Sequence, residues 1–170
     1  MQGRYVSADG TQEYVGSWCG GMRHGRGTHH TSGVFKYQGE WSADCRAGRG
    51  TCVYSDGTVY EGEWADDVQQ GRGSYRASNG DAYEGDWHSN QQHGQGTLRC
   101  ANGDVYSGGF AQGQREGRGS LTCADGSRYE GAWHQDARSG QGTARLADGS
   151  LYQARCAAMR GDARRCAAMR

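Results

Sequence analysis

Tyrosine returns every 23 residues through this chain, as Tyr14, Tyr37, Tyr60, Tyr83, Tyr106, Tyr129 and Tyr152. Glycine follows two places on, at Gly16, Gly39, Gly62, Gly85, Gly108 and Gly131, and a large ring four places on, at Trp18, Trp41, Trp64, Trp87, Phe110 and Trp133. Later in each repeat comes Gly-x-Gly, from Gly25/Gly27 to Gly140/Gly142. Each repeat then ends on Asp-Gly or Asn-Gly, as at Asp56-Gly57 and Asn102-Gly103; the first departs, with Ser32-Gly33 one place early. Fixed-period self-similarity constrains the fold more than any local motif, because each repeat is one supersecondary unit that must stack on its neighbours.

Within a repeat the pattern has period two. Tyrosine, glycine and tryptophan at positions 0, 2 and 4 share a face, which is strand alternation. In the second half, positions 15 and 17 are apolar in several repeats (Leu98 and Cys100, Leu121 and Cys123) and share a face with the glycine at position 13. Each repeat therefore reads as two short strands, joined by a loop at the Gly-x-Gly and closed by an Asp/Asn-Gly hairpin turn. Glycine interrupts every stretch long enough to form a helix.

The opposite face carries acids on strand one (Glu40, Glu61, Glu63, Glu84, Asp86, Glu130) and arginines on strand two (Arg26, Arg49, Arg72, Arg118, then Arg76, Arg99, Arg145). Such rows are placed to pair across neighbouring strands and neutralise one another. The whole chain balances 19 basic against 19 acidic residues, so nothing pulls it globally toward nucleic acid or anionic membrane. Only 34% of the chain is hydrophobic, yet it holds five tryptophans and ten tyrosines, which separates it from disordered sequence. No run of eighteen apolar residues and no leader-like segment is present, and seven cysteines read as reduced cytosolic thiols.

The unit Tyr60-Glu61-Gly62-Glu63-Trp64, followed by Gly71-Arg72-Gly73 and an Asn-Gly turn, resembles the MORN repeat (membrane occupation and recognition nexus). The resemblance implies an all-β, elongated single-sheet solenoid of stacked antiparallel β-hairpins with an aromatic-lined groove. It covers residues 1–153: a half repeat at 1–13, six full repeats over 14–151, and the decayed start of a seventh at Tyr152. With strands about 4.8 Å apart, six and a half repeats predict a rod of roughly 60 Å. Residues 154–170 form an Ala/Arg/Cys-rich tail or cap with a short C-terminal helix as the expected structure, since two copies of Cys-Ala-Ala-Met-Arg favour helix around Gly161.

The resemblance also implies a scaffold or adaptor that binds protein partners in a cytoskeletal or flagellar assembly in the cytoplasm. The candidate partner-binding groove consists of Tyr37, Trp41, Tyr60, Trp64, Tyr83, Trp87, Tyr106, Phe110, Tyr129 and Trp133, many of which serve equally as stacked core. The alternative is a phosphoinositide- or membrane-associated module, or a regulatory partner of a lipid kinase. Lipid is disfavoured by the neutral charge. Open strands at the ends suggest a homodimer through a terminal repeat.

No catalytic residue, metal or cofactor is expected. The Gly-Arg-Gly elements lack the Gly-Lys-Ser/Thr ending of a phosphate loop, so they read as turn glycines. Their fixed place in folded repeats also argues against a disordered RNA-binding segment. Cys100 and Cys123 fall at equivalent places in adjacent hairpins, roughly 9–10 Å apart, too far for a disulfide.

Overall fold

A computed structural model of the protein describes residues 1–156, with side chains to residue 153. The described secondary structure is entirely strand. β1 (Gln2–Val6) precedes β2 (Gln12–Cys19), β3 (Met22–Thr31), β4 (Phe35–Ser42), β5 (Cys45–Tyr54), β6 (Val59–Ala65) and β7 (Val68–Arg76). β8 (Ala82–His88), β9 (Gln91–Arg99), β10 (Val105–Ala111), β11 (Gln114–Thr122), β12 (Arg128–His134), β13 (Ala137–Arg145) and β14 (Leu151–Cys156) follow. Strand order in the sheet is chain order, and the pairings are antiparallel. This is the all-β arrangement of consecutive hairpins that the period-two pattern predicts. Residues 154–156 continue β14, and the expected tail helix otherwise lies outside the described residues.

The chain divides into two compact parts, Met1–Asn79 with Trp87–Asn90, and Gly80–Asp86 with Gln91–Arg170. In the first part Tyr37 stands opposite His29 on β3 and Cys52 on β5, and Gly39 opposite Gly27 and Gly50. In the second, Tyr106 stands opposite Leu98 and Leu121, and Gly108 opposite Gly96 and Gly119. The same register thus recurs at each repeat.

The connection inside a repeat differs from the sequence expectation. The Gly-x-Gly is not a loop: it lies within the second strand of each hairpin. The strands are instead joined by two-residue turns with both residues at positive φ, such as Ala43 (45°) with Asp44 (69°) and Gln135 (48°) with Asp136 (65°). These are type I′ turns, whose twist matches that of the flanking strands.

The first glycine of Gly-x-Gly is a bulge. Gly39 pairs with Gly50 while Glu40 pairs with Ala47, so Gly48-Arg49 are extra residues on β5. Gly48 takes φ 54° and its counterpart Gly71 takes 66°, conformations glycine adopts without a Cβ penalty. The acid at position 3 serves this bulge. The Glu40, Glu63 and Asp86 carboxylates accept the backbone N–H groups of Arg49, Arg72 and Gln95 at 3.2, 3.1 and 2.9 Å. The acid row predicted to pair with arginine side chains is therefore committed at least partly to backbone.

The second glycine has another task. A Cβ at Gly50 would overlap the Tyr37 ring, and one at Gly96 the Tyr83 ring. Glycine pairs on facing strands let each tyrosine lie flat across the sheet, where it is at most 1% exposed. The tight packing of these rings, with their tryptophan or phenylalanine neighbours, constitutes the core.

Candidate functional site

The candidate residues lie on one face because the period-two pattern places them there. The structure packs Tyr37, Tyr60, Tyr83, Tyr106 and Tyr129 at 0–1% exposure, and Trp41, Trp64, Trp87, Phe110 and Trp133 at 3–6%. Tyr37, Tyr60 and Tyr106 each meet the ring of their own repeat and that of the next edge-on. Tyr37 stands 5.1 Å from Trp41 and 5.4 Å from Trp64, and Tyr106 stands 5.2 Å from Phe110 and 5.1 Å from Trp133. Edge-to-face contact suits the positive rim and negative face of aromatic rings.

The polar ends of these rings are satisfied by the backbone. Each tyrosine hydroxyl donates to the carbonyl three residues on, as Tyr37 to Glu40 (2.9 Å) and Tyr106 to Gly109 (3.0 Å). Burial pushes the Tyr83 and Tyr106 hydroxyls up to about 12 and those of Tyr37 and Tyr60 higher still, so they remain neutral donors. Tryptophan Nε1 donates to the second glycine of the preceding Gly-x-Gly: Trp41 to Gly27, Trp64 to Gly50, Trp87 to Gly73 and Trp133 to Gly119, at 3.1–3.3 Å.

Over this floor sits a layer that the sequence reading missed. The guanidinium carbons of Arg23, Arg46 and Arg115 stand 4.2, 4.2 and 4.4 Å from the ring centroids of Trp41, Trp64 and Trp133 in the following repeat. Each arginine is held by the aspartate of the next two-residue turn. For Arg46 and Asp67, Nε donates to Oδ1 at 2.8 Å, a terminal nitrogen to the backbone carbonyl at 2.8 Å, and the Arg46 N–H to Oδ1 at 3.0 Å. Arg23–Asp44 and Arg115–Asp136 repeat these bonds. The Arg23 and Arg46 bonds hold the Asp44 and Asp67 carboxyls below the ordinary aspartate value, against partial burial of Asp67. We call each set of arginine, ring and turn aspartate a latch.

Two latches are neutral. In the first part of the chain the equivalent residues are Gln69, Trp87 and Asn90, where Asn90 Oδ1 accepts the Gln69 N–H at 2.8 Å. In the second part they are Gln92, Phe110 and Gly113, where the backbone bond from Gly113 to Gln92 remains at 2.9 Å. A sequence signal existed. At position 9, Arg23, Arg46 and Arg115 accompany aspartate 21 residues later and the two glutamines accompany asparagine or glycine, whereas Arg138 is followed by Met159.

Other candidate chemistry stays apart. Among the described residues no cluster of three or more His, Cys, Asp or Glu side chains could hold a metal ion. Cys100 and Cys123 carry free thiols. His29 is buried between Phe35 and Trp41, and its Nδ1 has no hydrogen-bond partner. Burial foremost, then Arg23 and Arg46, pushes its pKa down and favours the neutral ring. No helix among the described residues is long and apolar enough to cross a membrane.

Among solved structures, the fold is similar to the TCP10 domain of Danio rerio CPAP in complex with a peptide of Danio rerio STIL. That match has a TM-score of 0.51 at 11% identity, covering 88% of this chain and 66% of that one, so the chain spans just under two thirds of it. It is also similar to the SAS-4 (dCPAP) TCP domain of Drosophila melanogaster in complex with a proline-rich motif of Ana2 (dSTIL), with a TM-score of 0.51 at 14% identity, covering 89% and 88%. No curated protein matches the sequence. The MORN-repeat family model matches residues 14–32, 37–59, 60–82, 83–105, 106–128 and 129–151. With six consecutive matches across most of its length, the chain belongs to the MORN-repeat family.

Proposed function

We propose that this chain is a non-catalytic scaffold that holds a protein partner as an extended segment against the ring face of its repeats. The observation that carries this reading is the latch layer. Planar guanidinium groups cap tryptophan rings at three of the repeat junctions. Such a surface offers stacking and hydrogen-bond donors at once without a proton-transfer or nucleophilic constellation. Tyr37, Trp41, Tyr60, Trp64, Tyr83, Trp87, Tyr106, Phe110, Tyr129 and Trp133 form its floor, and the partner rests on the indole edges and the guanidinium lids. The fold's likeness to two domains solved with bound peptides supports a protein ligand. The setting we propose is a cytoskeletal or flagellar assembly.

The test is extraction of cells expressing the tagged full chain, with and without non-ionic detergent. The reading expects retention in the detergent-insoluble fraction, and loss of retention in the Arg46→Ala/Arg115→Ala variant. Release of the unaltered chain only by detergent would overturn it in favour of a lipid surface. Release without detergent would remove the cytoskeletal setting.

A further inference from the structure

The face opposite the rings differs between the two parts of the chain. In the first part arginines alternate with acids across the strands: Arg26 stands opposite Glu40, and Arg49 opposite Glu63. In the second part the acid at position 3 is kept as Asp86 but lost in the next two repeats, where Gly109 and Ala132 replace it. Arg118 stands opposite Ala132, with no acid facing it in that register.

Nearer the Asp/Asn-Gly turns one row runs Arg99, Val105, Thr122, Arg128, Arg145, each opposite the next on the neighbouring strand. Two arginines, Arg128 and Arg145, face each other directly, an arrangement that costs stability between like charges. All four arginines are exposed. Arg128 meets Glu130 at 3.3 Å. Among the described residues the guanidinium groups of Arg99, Arg118 and Arg145 have no hydrogen-bond or ion-pair partner. The turn acids along the adjacent edge are otherwise engaged. Asp104 accepts the Ala124 N–H, and Asp125 and Asp148 accept those of Ser127 and Ser150. By contrast, on the ring face of the same part, Arg115 gives Nε and a terminal nitrogen to Asp136 and lies over the Trp133 ring.

We infer that this face of β9–β13 is a second docking surface, and that its occupant is an acidic, extended polypeptide segment. It is distinct from the ring-face site and does not depend on it. The charge complementarity is local: four arginines against Glu130 and a Glu116 already engaged by His134 and the Gln135 N–H, in a chain whose total charge is zero. The spacing favours an extended chain laid across the strands. Neighbouring strands are about 4.8 Å apart, so Arg128 and Arg145 bracket one carboxylate between two planar donors. Arg99 lies three strands from Arg128, roughly 14 Å, and side chains four residues apart on an extended peptide are separated by about 13 Å. An acid between Arg128 and Arg145 lies roughly 17 Å from Arg99, so a second acid four residues along comes within about 4 Å of it, inside the reach of the long Arg99 side chain. Thr122 offers a hydroxyl between them.

The test uses the full chain and a fluorescent ten-residue peptide of alternating glutamate and threonine, followed by anisotropy. Binding is expected at about 50 mM salt and should weaken as salt rises to about 300 mM, as exposed charge pairs are screened. Arg128→Glu/Arg145→Glu should weaken it roughly tenfold or more, and Arg99→Gln by a smaller factor. The control Arg26→Glu/Arg49→Glu, on the same face of the first part, should leave it within about twofold. Circular dichroism verifies that both double variants fold. Equal loss in the two double variants would overturn the proposal by reducing it to general charge. So would binding confined to vesicles of anionic phosphoinositide with no affinity for the peptide.

Discussion

The latch of Arg46, Trp64 and Asp67 and that of Gln92, Phe110 and Gly113 occupy equivalent places in their hairpins and are built from different chemistry. The first joins a ring-stacked guanidinium, an ion pair at 2.8 Å and an indole N–H donated to Gly50. The second keeps the backbone bond of Gly113 to Gln92, but phenylalanine has no N–H to donate. All three residues differ between these two, whereas Gln69, Trp87 and Asn90 lose the charged pair and keep the ring. An arginine without aspartate leaves a half-buried charge unpaired, and an aspartate without arginine gains nothing. The difference teaches that arginine and aspartate vary as a pair, while the ring beneath them varies separately. Repeat arrays take their stability from such nearest-neighbour terms, so the chain is held unevenly along its length.

The largest expected effect lies where the two kinds of junction agree. Gly50→Ala puts a methyl group into the buried Tyr37 ring and Gly96→Ala puts one into Tyr83. Both should destabilise by about 3 kcal/mol or more, as overpacking of a tight core does. Local opening measured by hydrogen exchange should show similar losses at both sites. A much smaller loss at Gly96 would mean that the neutral junction is slack enough to move its ring aside, and would extend the comparison into the core.

Next come changes that convert one junction into the other. Arg46→Ala removes a stacked cation and its ion pair, and should cost on the order of 1–2 kcal/mol. Arg46→Lys should recover little of it, because an ammonium lacks the planar face and the forked donors. Conversely, Phe110→Trp alone should do little, whereas Gln92→Arg/Phe110→Trp/Gly113→Asp should stabilise by about 1 kcal/mol. Additive single effects in a triple-variant cycle, read from denaturation midpoints, would dissolve the latch as a unit.

The period, the strands and the shared face of the rings were all legible in the sequence, because side-chain alternation and repetition are written directly in residue identity. The turns were not. Ala43-Asp44 carries no glycine although both residues take positive φ, and the visible glycines of Gly48-Arg49-Gly50 drew the loop to the wrong place. Only the register shows that Gly48 bulges while Gly50 lies under a ring. The latch escaped for a related reason: Arg23 and Asp44 are 21 residues apart, and their meeting depends on that same register. Grouping the aromatics on one face was correct, but residue identity could not reveal that the rings cover one another almost completely.

Acid offers a smaller effect that separates the two classes without mutation. The Asp44 and Asp67 carboxyls sit below their ordinary value of 3.8 in the folded chain, Asp44 chiefly through the Arg23 N–H, and Asp67 through Arg46 against the opposing effect of its burial. A depressed folded pKa gives stability that is present above the unfolded value and lost as pH falls through the folded one. Lowering the pH from about 5 to about 2.5 should therefore loosen the Asp44 and Asp67 turns. The Asn90 turn, which holds the Gln69 N–H with an uncharged oxygen, should respond less. Exchange protection, corrected for the intrinsic rate at each pH, reads the difference, and equal loss at all three turns would assign the acid response to the fold as a whole.

The smallest expected effect concerns the first residue of the two-residue turns, where both classes of junction accept similar strain. Ala43 at φ 45° and Gln112 at φ 51° hold a left-handed conformation that disfavours a Cβ, and neither side chain contributes the local hydrogen bonding that asparagine can. Ala43→Asn and Gln112→Asn should each stabilise by about 0.5 kcal/mol. The second turn residue behaves otherwise: Asp44 accepts both the N–H and Nε of Arg23, so its conformational cost is offset by the latch, whereas Gly113 has no such cost to offset. Equal gains at Ala43 and Gln112 in thermal unfolding would place the difference between junctions entirely in the second turn residue and its partners. A gain at Gln112 alone would show that the Arg23–Asp44 latch already holds its turn so firmly that relief of strain at Ala43 no longer registers.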